Sequence, residues 1–156
     1  MIKSYETLIE KHHLSDKVVL AAFATHSRYA GPREAMFTAL CRKNYGCSHF
    51  IVGRDHTGVK NYYAPEASQK IFDEYPDLDM EIVKVNEVYY SNAHDKYYFS
   101  HDYPEGDNAN RYSISGTSAR KMLQDGVMPP SWLMRDEISE QILKAMQNKE
   151  EVFIVT

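Results

Sequence analysis

The strongest constraint on the fold is punctuation: apolar runs of strand length alternate with helical segments bracketed by proline and glycine. Residues 18–24 (VVLAAFA) are continuously apolar, the pattern of a strand buried on both faces of a parallel sheet. Gly31-Pro32 follows, then Met36, Ala39 and Leu40 on one helical face, with Gly46 near the end. Proline just inside a helix start and glycine just past its end is the expected asymmetry. A second buried run, HFIV (49–52), leads into Gly53-Arg54-Asp55-His56, and 65–75 repeats the punctuation between Pro65 and Pro76. Residues 79–90 (DMEIVKVNEVYY) alternate in part and read as a third strand nearer a sheet edge. Residues 91–112 have no period and read as a long loop. Helical spacing recurs at 4–13, between Gly116 and Gly126, and at 136–148. This alternation predicts an α/β sandwich built on a parallel sheet.

The 156 residues suit a single domain. At 43% apolar and 26% charged, the composition is that of a globular chain rather than a disordered one. No apolar run approaches a membrane span, the N-terminal MIKSYETLIEKHH lacks a signal-type stretch, and Cys41 and Cys47 form no metal-type pair. A cytoplasmic setting and no membrane partner are therefore expected. The net charge of −4 argues against a general nucleic-acid coat protein. It also hides an asymmetry. Arg28, Arg33, Arg42, Lys43, Arg54 and Lys60 outweigh Glu34 and Asp55 across 28–60, a local +4 that leaves −8 elsewhere. A basic island in an acidic chain suits a small anionic ligand, although solvated surface charge is the simpler alternative.

Ligands of open parallel sheets bind beyond the carboxyl ends of the strands. Three loops fall at such places: RYAGPR (28–33), GRDHTG (53–58) and SGTSAR (115–120). Each joins small residues, which let peptide N–H groups approach a ligand, to an arginine whose planar fork suits phosphate or sulfate oxygens. Glycines that only make turns and arginines that only solvate them explain each loop singly. Together the three point to a nucleotide with a second oxyanion. His56, flanked by Asp55, is placed either to touch a leaving phosphate or to serve structure alone. No P-loop element is present.

As a set, these loops resemble ATP sulfurylase. The block RYAGPREAMFTALCRKNYGCSHFIVGRDHTGV (28–59) carries the resemblance, which continues through Tyr62-Tyr63, Pro65 and Glu87-Val88-Tyr89 into ISGTSAR (114–120) and PPSWLMRDEISEQIL (129–143). The resemblance implies a Rossmann-like nucleotidyltransferase fold, incomplete here at about three strands, and the reaction ATP + sulfate ⇌ adenosine 5′-phosphosulfate + pyrophosphate. It implies that Arg54 and His56 are catalytic, with Arg54 facing the phosphosulfate. Arg28, Gly53, Asp55, Thr57 and Gly58 would line the nucleotide and sulfate site, Thr57 through its backbone, and Val88 would lie against adenine. Ser115, Gly116, Thr117 and Arg120 would hold phosphates at a helix N-terminus. Mg2+ would arrive with ATP.

Three departures qualify it. Thr57 stands where the family usually has alanine, adding a hydroxyl beside the expected sulfate. Where many bacterial-type relatives carry a zinc-binding Cys/His cluster, YYSNAHDKYYFSHDY (89–103) has no cysteine, so no structural zinc is expected. The family's Gln-x-Arg-Asn-Pro-x-His-x-x-His run is absent from the sequence. The isolated chain is therefore expected to be weakly active or inactive. A homodimer or a complementary chain would supply missing strands. A non-catalytic adenine nucleotide- or phosphosulfate-binding module, or a remnant acting through oligomerisation, are the alternatives.

Overall fold

The computed structural model describes residues 2–57 and 62–153, which divide into two compact units, 24–110 and 1–23 with 111–156. Among the described residues no helix is long and apolar enough to cross a membrane.

In the 24–110 unit, helix α2 (Pro32–Asn44; α1, Ile2–Lys11, lies in the other unit) starts with Pro32 at its first position and Glu34 in its first turn. It ends as the glycine spacing predicts. Gly46 is left-handed at φ 87°, its N–H donates to Lys43 O at 2.8 Å, and Cys47 N–H donates to Arg42 O at 3.0 Å. Those paired bonds satisfy carbonyls that the last helical turn leaves open. Strand β1 (His49–Val52) then pairs in parallel with β2 (Glu81–Lys84), His49 opposite Glu81 and Val52 opposite Lys84. The core packs on one face of this pair: Ala35, Ala39, Val52 and Phe72 are buried, with Met36, Phe50, Ile71, Leu78, Met80 and Ile82 against them. Between the strands, α3 (Ala67–Lys70) continues as 3-10 turns at Ile71–Glu74 and Pro76–Leu78.

The other unit holds α1 (Ile2–Lys11), the short strand β5 (Arg111–Ser113), α4 (Gly116–Gln124) and α5 (Asp136–Gln147). Both α1 and α4 pack on α5, with Ala119, Leu123 and Ile138 buried. Gly126 closes α4 with the same bond pair that Gly46 makes for α2, at φ 73°.

The mixed α/β class therefore stands, with four local corrections. Residues 18–24, expected to be a strand, form no regular element among the described residues, and Val19 is 94% exposed. Strand geometry needs a hydrogen-bonded neighbour, which an apolar run does not itself provide. The segment 79–90 is two strands rather than one. The chain leaves the parallel pair after Lys84, and β3 (Val88–Ser91) joins β4 (Lys96–Phe99) in an antiparallel hairpin, Val88 opposite Phe99. That hairpin and β5 also occupy much of what reads as a loop at 91–112. The expected helix at 65–75 is one α-helical turn followed by 3-10 geometry.

Candidate functional site

Two loops of the 24–110 unit meet just beyond the carboxyl ends of β1 and β2. The first precedes α2. Its Tyr29 and Gly31 are left-handed, at φ 51° and 52°. Glu34, only 7% exposed, holds that loop from within the helix: Oε1 accepts the Arg28 N–H at 2.9 Å and Oε2 the Ala30 N–H at 3.0 Å. These donors, the Arg28 N–H foremost, hold its carboxyl below the usual 4.5 despite opposition from burial. The loop then presents Arg28, whose guanidinium lies 4.8 Å from the Phe37 ring centroid and donates to the His26 carbonyl at 3.1 Å.

The second loop follows β1. Asp55 and Thr57 are left-handed, at φ 52° and 57°, while Arg54 and His56 are not. Such alternation turns successive peptide N–H groups toward one side, the backbone geometry of anion-binding concavities. The Asp55 N–H is spent on Pro65 O at 2.7 Å. The N–H groups of His56 and Thr57 have no partner among the described residues. The two loops are joined directly, Gly31 N–H donating to Thr57 O at 3.2 Å and Thr57 Oγ1 lying 2.9 Å from Gly31 O.

Polar side chains from α3 fix the base of this arrangement. Gln69, 8% exposed, donates through Nε2 to Val52 O and Val85 O, both at 3.0 Å, bridging the ends of the two strands. Ser68 Oγ donates to His56 O at 2.7 Å. The His56 ring stands edge-on to Phe50 at 5.6 Å, and its Nε2 is buried with no partner among the described residues. Burial pushes the imidazole below its usual 6.5, against the pull of Glu34. A neutral ring of this kind can give a hydrogen bond from Nε2 without carrying charge. Arg54 points toward the start of β3, its Nη2 3.3 Å from Glu87 Oε1, one residue before half-buried Val88.

Arg28, Gly53, Arg54, Asp55, His56, Thr57 and Val88 thus all belong to one compact unit, and three of its segments are tied together by the contacts above. Gly58 lies outside the described residues. Ser115, Gly116, Thr117 and Arg120 belong to the other unit, at the start of α4. There Ser115 Oγ accepts the Ser118 N–H at 3.2 Å and caps the helix, and Arg120 Nη2 donates to Thr117 Oγ1 at 3.2 Å. Among the described residues, no cluster of three or more His, Cys, Asp or Glu side chains is arranged to hold a metal ion. Glu34, Ser68 and Gln69 escape a sequence reading that looks for exposed arginines and glycines. Only Glu34 carried a usable signal, being an acid three residues after the N-cap Gly31, where such a side chain reaches back to open N–H groups.

Comparison with known proteins fits this architecture. A sulfate adenylyltransferase of a Synechococcus species is 42% identical over 150 residues, covering 95% of this chain and 38% of that protein. One from Ignicoccus hospitalis is 43% identical over 143 residues, covering 92% and 37%. A probable bifunctional SAT/APS kinase 2 of Sorangium cellulosum is 40% identical, covering 94% of this chain and 26% of that one. The chain thus spans two fifths or less of the length of these curated relatives. A hexameric APS kinase from Thiobacillus denitrificans shares the fold at a TM-score of 0.61 and 16% identity, over 95% of this chain and 28% of that chain. Residues 1–145 match the ATP-sulfurylase family, and with relatives at about this identity along nearly its whole length, the chain belongs to the ATP-sulfurylase family.

Proposed function

We propose that this chain forms the phosphosulfate-holding part of a sulfate adenylyltransferase site, serving ATP + sulfate ⇌ adenosine 5′-phosphosulfate + pyrophosphate. The observation that carries this reading is the pair of joined loops at the strand ends, where Arg54 coincides with peptide N–H groups and a His56 Nε2 that have no partner among the described residues. In this reaction a sulfate oxygen attacks the α-phosphorus, a P–O bond to sulfate forms, and the bond to the departing pyrophosphate breaks. Little covalent chemistry falls to the protein. Positioning and stabilisation of negative charge carry most of the acceleration.

In this reading the roles divide among the loops. Arg54, released from Glu87, neutralises charge on the phosphosulfate. His56 donates a neutral hydrogen bond from Nε2, and the N–H groups of His56 and Thr57 face the sulfate oxygens. Arg28 adds positive charge at the neighbouring loop, Gly53 and Asp55 shape the turn, and Val88 offers an apolar surface to adenine. Ser115, Gly116, Thr117 and Arg120, in the other unit, form a phosphate-binding element of their own at a helix start. The Ser115 hydroxyl proton remains available there, because that side chain acts as an acceptor in its cap. Mg2+ enters as part of the MgATP substrate and screens the leaving pyrophosphate.

The contacts of the family's Gln-x-Arg-Asn-Pro-x-His-x-x-His run come, in this reading, from groups outside these 156 residues, such as a complementary chain. The chain alone is accordingly expected to exchange pyrophosphate into ATP barely or not at all. Sulfate-dependent exchange by the purified chain at the roughly 1–1,000 s⁻¹ of ordinary enzymes would overturn that division of labour.

A further inference from the structure

Thr57 is the one β-branched residue in the left-handed region among the described residues, at φ 57°. Such a residue clashes there with its own backbone, so the conformation persists only where its surroundings impose it. The surroundings are two carbonyls. Thr57 Oγ1 lies 2.9 Å from Gly31 O and 2.7 Å from His56 O, and Thr57 O in turn accepts the Gly31 N–H at 3.2 Å. A hydroxyl has a single proton, and here both acceptors within reach are backbone oxygens. The side chain is therefore committed to the loops and does not offer its proton to a ligand. The Thr57 N–H has no partner among the described residues.

We propose that Thr57 is a positioning residue: its hydroxyl locks the second loop onto Gly31 and so holds the His56 and Thr57 N–H groups in place for the oxyanion. This rests on the proposed function for the identity of the ligand, but the lock itself does not. Two further features agree with it. Gly31 is independently anchored, since Glu34 fixes the residues before it and α2 begins immediately after it. The loop bearing His56 is anchored from below by Ser68. The Thr57 hydroxyl joins these two fixed points.

The test compares Thr57→Ala, Thr57→Ser and Thr57→Val in the full chain. Amide hydrogen exchange at Gly31 reads the lock without ligand, and calorimetric titration with adenosine 5′-phosphosulfate reads the positioning. Thr57→Ala and Thr57→Val should speed Gly31 exchange about five- to tenfold, the size expected for one lost hydrogen bond. They should also weaken phosphosulfate binding by a comparable factor. Thr57→Ser keeps the hydroxyl and sheds the strained branch, and should show Gly31 exchange no faster and phosphosulfate binding no weaker than the unsubstituted chain. Unchanged exchange in Thr57→Ala would overturn the lock. Altered exchange with unaltered affinity would overturn the positioning role. Altered exchange with no binding by any form, the unsubstituted chain included, would instead overturn the phosphosulfate reading and the positioning role with it.

Discussion

Replacing Glu34 by alanine removes the carboxylate that accepts both the Arg28 N–H at 2.9 Å and the Ala30 N–H at 3.0 Å. Hydrogen bonds to charged groups contribute about 1.5–3 kcal/mol each, and because these two share one carboxylate the combined loss is set near the lower sum, about 3 kcal/mol. Glu34 is nearly buried, so water does not readily take its place. Every 1.4 kcal/mol is about a tenfold change, so the Arg28 and Ala30 amides should exchange roughly a hundredfold faster in the variant. The pH dependence has a definite sign. The folded-state pKa of Glu34 lies below its ordinary 4.5. The contribution is therefore complete above about pH 4.5 and disappears as the pH falls through the lowered folded value. Urea unfolding of the two forms, followed by exchange-resolved mass spectrometry, should show the full gap at neutral pH and a closing gap in acid. A gap under 1 kcal/mol at neutral pH, or one that stays constant into acid, would refute the assignment of Glu34 as the anchor of the first loop, given the roughly threefold larger value reasoned from its bonds.

Two further substitutions probe the backbone. A Cβ on Gly31 would sit 2.4, 2.6 and 2.8 Å from the Cδ2, Cε2 and Cγ of Tyr63, at φ 52°. Gly31→Ala should therefore lower stability by about 2–4 kcal/mol, and a Gly31→Ala/Tyr63→Ala double variant should behave better than the sum of its parts, leaving about 1–2 kcal/mol of backbone penalty; chemical denaturation measures both. In the other unit, α5 closes through Lys149 at φ 59°, whose N–H donates to Met146 O at 3.0 Å while Glu150 N–H donates to Ala145 O at 3.0 Å. Lys149→Gly removes the left-handed penalty and should stabilise by about 0.5 kcal/mol, less a small loss of charge at the helix end, read as a rise in the midpoint of thermal unfolding by Trp132 fluorescence.

Helix ends were legible because they depend on single residues. Pro32, Gly46 and Gly126 occupy the positions their chemistry assigns them, whereas α1 and α5 close through left-handed His13 and Lys149, which carry no such mark. Strand partners were less legible. HFIV is a strand because a parallel neighbour exists at 81–84, while VVLAAFA, with the stronger apolar pattern, has no strand neighbour among the described residues. Alternation within 79–90 also runs straight through the switch from one sheet to the other, so period alone could not locate it. The β3–β4 hairpin did leave a signal: VYYS and KYYF, rich in tyrosine, flank the four-residue NAHD, with Asp95 left-handed at its end. Of the candidate site, the arginines, glycines and His56 stood out because ligand chemistry demands those types. Of the residues that hold them, Glu34 is local, four and six residues from its partners, whereas Ser68 and Gln69 are buried polar groups whose partners are peptide atoms twelve or more residues away, and composition records nothing of such pairings.

The loop at 53–57 is proposed above to hold a phosphosulfate. Calorimetric titration of the full chain with adenosine 5′-phosphosulfate, beside an Arg54→Ala variant of verified fold, tests it most directly. The expected result is saturable heat from the unsubstituted chain and affinity at least tenfold weaker in the variant, consistent with loss of a charged contact of about 1.4 kcal/mol or more. Equal affinity in the two forms, or no heat from either, would contradict it.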